Sequence, residues 1–475
     1  MPFYYLLVCI VLLVASPLLL FYSKARWGLL QKLGFIPNSF KLQNSTNKKI
    51  WFHSVSVGEF NAVLPLIEAL HKKHPEISIA VSTTTGTGQK LAQNKVGNFA
   101  SVFYFPFDLF PFTTAWLKTI APDLVVIVET ELWPGFTYEC QKRNVKLMIV
   151  NGRMSPKSFK TYFNLRFFFS QVLSRVTVIG AQSQSEVERY RQILGGTTNE
   201  ITRGTTLLNL GNLKFDGLNP IPAEETKKLK QNLALGNNDF VIVAGSTHEG
   251  EETVLLEAYK NLLKEKLPYT PRLILVPRHP ERFSRVHSLV ESQGFKVKLF
   301  SRQDKFEPQN SDSSQSATQQ VKAAEVYILD TIGELLRFYS LAQVAFVGGT
   351  IANIGGHNVL EPYTYGIPAI VGPHLYKTKV TANQLLEQNA MLIADNAQDL
   401  SQKIVLLCQD QNLRQKMGAS GQAIILQSQG AVERTLAVIA NQLNLANNQL
   451  NGQQIQDWQQ QGFAPEPQDR TGVNP

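Results

Sequence analysis

The sequence of 475 residues is poor in cysteine and in charge, and both shortages exclude whole classes of protein. Its three cysteines stand at unrelated spacings, which excludes a disulfide framework and a C-x-x-C zinc site. The eight histidines include no H-E-x-x-H pattern, so no metal site is expected. A P-loop and a G-x-G-x-x-G after the first strand are missing too. With 44% hydrophobic and 17% charged residues, the chain is neither disordered throughout, nor collagen, nor a coiled coil.

The first fifty residues lack acidic side chains altogether but contain six of the basic ones that give the chain its net charge of +9. Residues 3–22 carry no charge, and twenty helical residues match a hydrocarbon core of ~30 Å. We therefore expect a transmembrane anchor at 3–22 and a basic juxtamembrane segment at 23–49. By the positive-inside rule, we expect a single-pass protein with the rest of the chain on the cytoplasmic side of the membrane. A cleaved signal peptide is disfavoured because a charged n-region is missing.

The role of the basic segment stays open between a solvated linker and attraction to anionic headgroups. The rest of the chain has too small a surplus of positive charge, and no continuous basic stripe, so no nucleic acid partner is expected.

The body of the chain alternates short apolar runs with helical patterns, which predicts an α/β fold with parallel sheets. Two series of strands, divided near residues 216–224, predict two doubly wound, Rossmann-like domains facing a cleft, at 50–216 and 217–440. Residues 303–320 are polar and predict a solvated loop, and the Asn/Gln-rich stretch 441–475 predicts a disordered tail. The expected strands are Ile50–Val55, Ile77–Ser82, Val102–Phe105, Leu124–Val128, Leu147–Val150, Val176–Ala181, Phe240–Ala244, Leu273–Val276, Val326–Leu329, Val344–Val347 and Ala369–Val371.

Acidic residues follow two strands of the first series, where ligands of open α/β sheets bind. Glu59 could accept a proton from a hydroxyl, but Ser56-x-x-Glu59 is also a capping box, and a helix N-terminus lowers a carboxylate's pKa. Both interpretations stay open. Glu129 and Glu131 directly follow a buried strand; they could position a sugar or merely begin a helix.

Basic and aromatic residues follow later in the first series. Arg153 and Lys157 precede the aromatic stretch 162–169, which predicts either a buried helix or a surface that dips into a bilayer. Lys214 suits an anionic leaving group at the cleft, or it forms an ordinary salt bridge between domains.

The second series repeats one pattern, in which a strand is followed by a polar turn and the N-terminus of a helix. Such turns expose backbone N–H groups that bind phosphate. The Arg278 guanidinium adds a positive charge that suits a phosphate, and Glu361 could accept hydrogen bonds from two ribose hydroxyls. The convergence predicts a nucleotide site. The turns lie at 245–252, 277–282, 330–335 and 348–362.

Nine motifs together resemble the 3-deoxy-D-manno-octulosonic acid (Kdo) transferase family of lipopolysaccharide biosynthesis. The similarity covers roughly residues 1–440, and mild departures are Gly152 in place of alanine and Phe107 in place of tyrosine. The motifs are HSVSVGE (53–59), ETELWP (129–134), GNLKFD (211–216), GSTHEGEE (245–252), PRHPERF (277–283), DTIGELL (330–336), FVGG (346–349), GGHN-x-LEP (355–362) and GPH (372–374).

The resemblance implies a glycosyltransferase-B fold whose C-terminal helix crosses back to the first domain. It implies transfer of Kdo from CMP-Kdo to a lipid A precursor of the lipid IVA type, with inversion and without a cofactor or metal. The first domain would then bind the acceptor and the second the CMP-sugar. The resemblance makes Glu59 the general base, with Glu129 and Lys214 as transition-state stabilisers. The residues that it assigns to CMP are Pro277, Arg278, Ile332, Gly333, Glu334, Asn358, Val359, Leu360 and Glu361.

Three alternatives to this expectation stay open, one within the same class of enzyme and two outside it. A membrane-bound glycosyltransferase-B enzyme could use a UDP-sugar donor instead. A sugar-nucleotide epimerase shares the two-domain fold, although a soluble substrate gives no reason for an anchor. A catalytically inactive membrane scaffold is disfavoured because Glu59, Glu129 and Lys214 are all present.

Overall fold

The computed structural model describes residues 1–21, 27–38, 40, 42, 48–196, 204–301, 326–445 and 458. These residues form two compact units. The first comprises Met1–Gly217 with the described residues from Ser428 on, and the second comprises Leu218–Gln427. The expectation of two doubly wound α/β domains is confirmed.

The described part of the first unit contains a seven-stranded, all-parallel sheet in the order β3-β2-β1-β4-β5-β6-β7. The sequence of β4, LVVIV, is buried at every position because helices cover both faces of a parallel sheet. The strands are β1 (Lys49–Ser54), β2 (Ser78–Thr83), β3 (Ala100–Tyr104), β4 (Leu124–Val128), β5 (Lys146–Gly152), β6 (Val178–Ala181) and β7 (Thr206–Asn209). The helices are α1 (Pro2–Phe21), α2 (Leu29–Lys32), α3 (Val57–Lys73), α4 (Gly86–Val96), α5 (Phe110–Ile120), α6 (Pro134–Lys142), α7 (Pro156–Asn164), α8 (Arg166–Leu173) and α9 (Gln184–Leu194).

The second unit has its own parallel sheet, which among the described residues contains seven strands in the order β10-β11-β9-β8-β12-β13-β14. Its strands are β8 (Asp239–Thr247), β9 (Thr270–Pro277), β10 (Val297–Leu299), β11 (Val326–Ile328), β12 (Val344–Val347), β13 (Ala369–Val371) and β14 (Met391–Ile393). Its helices are α10 (Ala223–Asn232), α11 (Glu251–Leu262), α12 (Phe283–Ser292), α13 (Leu335–Tyr339), α14 (Lys379–Glu387), α15 (Ala397–Gln409) and α16 (Gln411–Ser428), with short 3-10 turns at Pro280–Arg282 and Glu361–Tyr365.

The last helix, α17 (Ala431–Leu443), belongs to the first unit. Its buried side chains Val432, Leu436 and Ile439 join the apolar core against α3. The Asp216 carboxylate accepts hydrogen bonds from the backbone N–H groups of Gly430 and Val432, and so caps the start of α17. The structure therefore differs from the predicted boundary at 440, because residues 428–440 pack with the first unit.

Two predicted loose segments fall largely outside the described residues. The loop at 303–320 lies entirely outside them, as does most of the predicted tail. Within that tail, α17 continues to Leu443, and both Leu445 and Trp458 pack against the core of the first unit.

The N-terminal residues contact the first unit at their beginning. The Tyr4 hydroxyl donates to the Asp108 carboxylate at 2.6 Å, and the same carboxylate accepts from the backbone of Gly135 at 2.9 Å. Within the described part of the chain, none of the helices combines the length and apolarity needed to cross a membrane.

The basic segment is partly built into the first unit. The Lys32 ammonium group lies 5.3 Å from the centre of the Tyr104 ring, and burial lowers its pKa. The Lys48 ammonium group lies 3.1 Å from the Asp123 carboxylate. These two lysines are therefore not part of a free linker; Lys24, Arg26 and Lys41 lie outside the described residues.

The aromatic stretch 162–169 is not a buried helix. It breaks into α7 and α8 at Leu165, and Phe167 is 72% exposed. Tyr162 and Phe169 pack against each other at the edge of the core, with ring centres 4.4 Å apart and ring planes tilted by 42°. The stretch thus has one face on the unit and one face open.

Candidate functional site

The first unit concentrates carboxylates where its strand order reverses. The chain runs outward from β1 in one direction and resumes at β4 on the other side, and β1 and β4 are neighbours in the sheet. In open α/β sheets, ligands bind beyond the carboxyl ends of the strands at this switch point. Glu59 follows β1 and Glu129 follows β4, so the fold brings the two predicted residues to this position.

Glu59 forms both halves of the capping box that its spacing predicts. The Ser56 hydroxyl accepts from the Glu59 N–H at 3.4 Å, and the Glu59 carboxylate accepts from the Val55 N–H at 2.7 Å and the Ser56 hydroxyl at 2.9 Å. Burial nevertheless raises the pKa of Glu59, and the negative charge of Glu129 raises it further, against the hydrogen bonds that lower it. The lowered pKa expected from the helix N-terminus is therefore wrong, because desolvation outweighs it.

Glu129 lies between two cations of its own unit. Its carboxylate is 3.2 Å from the Lys214 ammonium group and 3.4 Å from the Arg153 guanidinium. Its backbone adopts a φ of 59°, which is costly for a residue with a side chain and is found where the surrounding structure enforces it. The ion pair of Lys214 is thus within the first unit, and the alternative of a salt bridge between domains is wrong for this contact.

The loop that carries Lys214 is held by a residue that sequence reasoning missed. The Asn151 side-chain oxygen accepts from the Leu213 N–H at 3.0 Å, and Asn151 itself has a φ of 55° at the end of β5. Asn212 adds a hydrogen bond from the Lys214 N–H at 3.0 Å. The signal in the sequence was an asparagine directly after a buried strand, a residue type that tolerates this backbone conformation.

Glu131 contributes a third carboxylate to the same region. Burial raises the pKa of Glu131 to about 7, and the charges of Glu59 and Glu129 act in the same direction. A carboxyl group with this pKa exchanges its proton near neutral pH. Glu131 can therefore serve as a proton donor or a proton acceptor in this region.

Arg278 lies at the corresponding edge of the second unit. It follows β9 and Pro277, and its backbone N–H donates to the Thr247 carbonyl at 3.0 Å, which ties it to the end of β8. The side chain is exposed, and within the described residues its guanidinium makes neither an ion pair nor a hydrogen bond. It is therefore free to receive an anion.

The turn at 332–334 precedes α13. Ile332 is 79% exposed, Gly333 has a φ of 90°, and the Glu334 carboxylate lies 3.0 Å from the Arg337 guanidinium. A side chain on Gly333 would meet no atom, so its glycine is required by the backbone rather than by crowding. The exposed Ile332 offers an apolar surface to a flat ligand.

Residues 358–361 form a closed turn after β12. The Asn358 amide donates to the Glu361 carboxylate at 3.2 Å and its oxygen accepts from the Leu360 N–H at 3.2 Å, while Val359 and Leu360 are buried. Burial raises the pKa of Glu361 to about 7, and the Arg278 charge opposes this. Glu361 and Arg278 thus lie close enough to influence each other.

Two further features of this edge were not singled out in the sequence. His248 and His357 face each other, with their Nε2 atoms 2.7 Å apart. The fully buried Glu251 carboxylate accepts from the backbone N–H groups of both turns that carry them, at distances from 2.8 to 3.1 Å. Both histidines follow neighbouring strands, β8 and β12, and that placement was the available signal.

Comparison with known proteins gives a consistent answer over most of the chain. The family model "3-Deoxy-D-manno-octulosonic-acid transferase (kdotransferase)" matches residues 27–217. The chain is 31% identical over 439 residues to 3-deoxy-D-manno-octulosonic acid transferase of Haemophilus influenzae, covering 90% of this chain and 96% of that one. It is 33% identical over 364 residues to the protein of the same name from Rickettsia felis, covering 76% and 72%.

Among solved structures, a UDP-N-acetylglucosamine 2-epimerase matches with a TM-score of 0.55 and 12% identity, covering 85% of this chain and 98% of that one. This likeness shows a shared two-domain α/β fold and nothing about the reaction.

Proposed function

Because this chain belongs to the 3-deoxy-D-manno-octulosonic acid transferase family, we propose that it transfers Kdo from CMP-Kdo to a lipid A precursor of the lipid IVA type. The transfer inverts the anomeric carbon and serves lipopolysaccharide biosynthesis. The observation that carries the proposal is the group of Glu59, Glu129 and Lys214 at the switch point of a unit that matches the family model.

In the proposed reaction Glu59 removes the proton from the acceptor hydroxyl. Its raised pKa supports this role, because a stronger base takes up the proton more readily. As the donor bond breaks, the sugar acquires oxocarbenium character and the leaving phosphate gains negative charge. The Lys214 cation, positioned by Glu129 and Asn151, offsets that charge.

The second unit is proposed to bind the CMP part of the donor. Arg278 would contact the phosphate. Glu361, together with Asn358, would accept hydrogen bonds from the ribose hydroxyls. The supports are the Arg278 guanidinium, which has no partner among the described residues, and the turn that Asn358 closes. Pro277, Ile332, Gly333, Glu334, Val359 and Leu360 complete the proposed CMP surface.

The location proposed is the cytoplasmic face of the inner membrane, with the N-terminal segment as a single-pass anchor. The supports are the uncharged run at 3–22 and the exposed side chains of Leu7 and Val11. The double substitution L7K/V11K is expected to move the protein from the membrane fraction to the supernatant. L426K, which charges an equally exposed leucine of α16, is the control. Retention of L7K/V11K in the membrane fraction would contradict the anchor.

The experiment that tests the reaction is incubation of the protein with CMP-Kdo and a tetra-acylated lipid A precursor. Mass spectrometry of the lipid then counts the sugars added. We expect Kdo on the lipid with CMP-Kdo and none with UDP-sugars. Transfer from a UDP-sugar would favour the other membrane-bound transferase, and conversion of a UDP-sugar without transfer would favour an epimerase.

A further inference from the structure

Two histidines meet at the switch point of the second sheet. His248 follows β8 and His357 lies in the loop after β12, and β8 and β12 are the neighbours at which the strand order reverses. Their rings are parallel within 1°, and their Nε2 atoms are 2.7 Å apart. This distance is that of a hydrogen bond and is too short for two nitrogens that share a metal ion.

The contact fixes the number of protons that lie between the rings. One Nε2 must carry a hydrogen and the other must be bare, so the rings are either both neutral or share a single positive charge. Desolvation lowers the pKa of His248 and lowers that of His357 to about 4, so the free protein holds the neutral form at neutral pH.

The main-chain setting of the pair is rigid. Glu251 accepts from the His248 N–H at 2.9 Å and from the Gly349 N–H at 2.8 Å, and the His357 N–H donates to the Gly348 carbonyl at 3.3 Å. Gly349 has a φ of 72°, and a side chain there would approach the His357 ring to 3.0 Å. The two rings are therefore held in contact by their own turns.

Charged groups around the pair divide into two sets. Arg278, Lys377 and His279 oppose a positive charge on His357, and His279 and Arg282 oppose one on His248. The Glu251 and Glu252 carboxylates favour it on His248, but they are engaged by backbone N–H groups and by Arg282 respectively. An anion that binds here would therefore lie near several cationic side chains and near a neutral histidine pair that can take up a proton. Glu249 and Glu361 are the other titratable residues of the same turns.

We propose that the His248–His357 pair takes up one proton from solvent when the phosphate of the donor binds, and thereby forms part of the leaving-group site. This inference rests on the proposed function, since CMP is the leaving group there. When the bond from the sugar to the phosphate oxygen breaks, the electron pair stays on that oxygen, so the phosphate group goes from one negative charge to two. The shared proton offsets that charge beside Arg278.

The proposal predicts how CMP affinity depends on pH. Proton uptake means that the pKa of the pair is higher in the complex than in the free protein, so binding is stronger on the acid side and weakens as pH rises through the pKa of the complex. This pH dependence of CMP affinity begins above about pH 4, because the pKa of His357 in the free protein is about 4.

The experiment is calorimetric titration of the wild-type protein with CMP, and with cytidine, in buffers of different ionisation enthalpy. The titrations are made at about pH 7.5, where a phosphate monoester is a dianion. CMP is expected to bring in on the order of one proton more than cytidine does. Cytidine keeps the ribose, so proton exchange by Glu361 appears in both titrations and cancels.

Matched variants assign the proton to the pair. H357Q and H248Q keep an amide that can hydrogen-bond but cannot take a proton, and we expect the extra uptake to vanish while CMP still binds. H287Q, on α12 beside Glu291, is the control that keeps it.

Equal uptake with CMP and cytidine in the wild-type protein would overturn the inference without reference to any variant. Unchanged uptake in both H357Q and H248Q would overturn it as well. Failure of the wild-type protein to bind CMP would overturn the proposed function and this inference together, whereas CMP binding without uptake overturns the inference alone.

Discussion

The Lys214–Glu129 ion pair offers a test that separates catalysis from stability. Lys214→Met removes the ammonium group 3.2 Å from the Glu129 carboxylate. Lys214 is 39% exposed, and Glu129 keeps Arg153 at 3.4 Å, so the free energy of unfolding should fall by about 1 kcal/mol or less. If the cation stabilises the leaving phosphate, the rate of transfer should fall by about 10²- to 10³-fold.

The control for this prediction is Lys48→Met. Lys48 lies 3.1 Å from Asp123 with similar exposure, 46%, but the two residues precede β1 and β4, at the opposite ends of these strands from Glu59 and Glu129. Urea denaturation measures the stability of both variants, and single-turnover transfer from CMP-Kdo measures the rate. We expect similar small losses of stability and a loss of rate in Lys214→Met alone. A Lys214→Met protein that transfers Kdo at the wild-type rate would refute the argument.

Three further predictions follow from contacts of the site and the fold. Glu129→Gln removes a charge that raises the pKa of Glu59. In the plot of kcat/KM against pH for the residual transfer, the acidic limb should therefore move to lower pH. Glu251→Gln places an NH2 group opposite backbone N–H donors at a fully buried position. The free energy of unfolding should therefore fall by about 3 kcal/mol, and CMP binding should weaken. Asp216→Ala removes the cap of α17, and urea denaturation should show a loss of about 1 to 2 kcal/mol.

Each of these predictions has an outcome that contradicts it. An acidic limb that stays in place in Glu129→Gln would mean that the two carboxylates do not interact. Wild-type CMP affinity in Glu251→Gln would mean that the turns around the histidine pair do not depend on the hydrogen bonds to the Glu251 carboxylate. Unchanged stability of Asp216→Ala would mean that α17 is held by its apolar face alone.

Much of the fold could be predicted because buried parallel strands are nearly continuous apolar runs. Leu124–Val128 and Val344–Val347 were predicted with the bounds that the structure has. The strands that were missed lie toward the sheet edges, such as Val297–Leu299 and Met391–Ile393, where three residues are too few to form a pattern. The return of α17 to the first unit was expected from the family resemblance and not from the apolar pattern of the helix.

The site was partly predictable for a similar reason. Residues that follow parallel strands lie at one edge of their own sheet, which is how Glu129 was predicted for the first unit and Arg278 for the second. The pKa of Glu59 could not be predicted, because it depends on whether desolvation raises it more than the hydrogen bonds to the carboxylate lower it. The His248–His357 contact could not be predicted either, because 109 residues separate the two rings and only the order of β8 and β12 in the sheet joins them.

The central claim is that this protein transfers Kdo with Glu59 as the base. Glu59→Gln keeps the capping box, since a glutamine oxygen still accepts from the Val55 N–H, but it cannot take the proton. Asp399→Asn makes the same change in the capping box that begins α15, outside the proposed site. The measurement is the single-turnover rate of Kdo transfer by the two variants, with CMP affinity measured alongside. We expect Glu59→Gln to abolish transfer and to retain CMP affinity, and Asp399→Asn to leave transfer unchanged. Near-normal transfer by Glu59→Gln would contradict it.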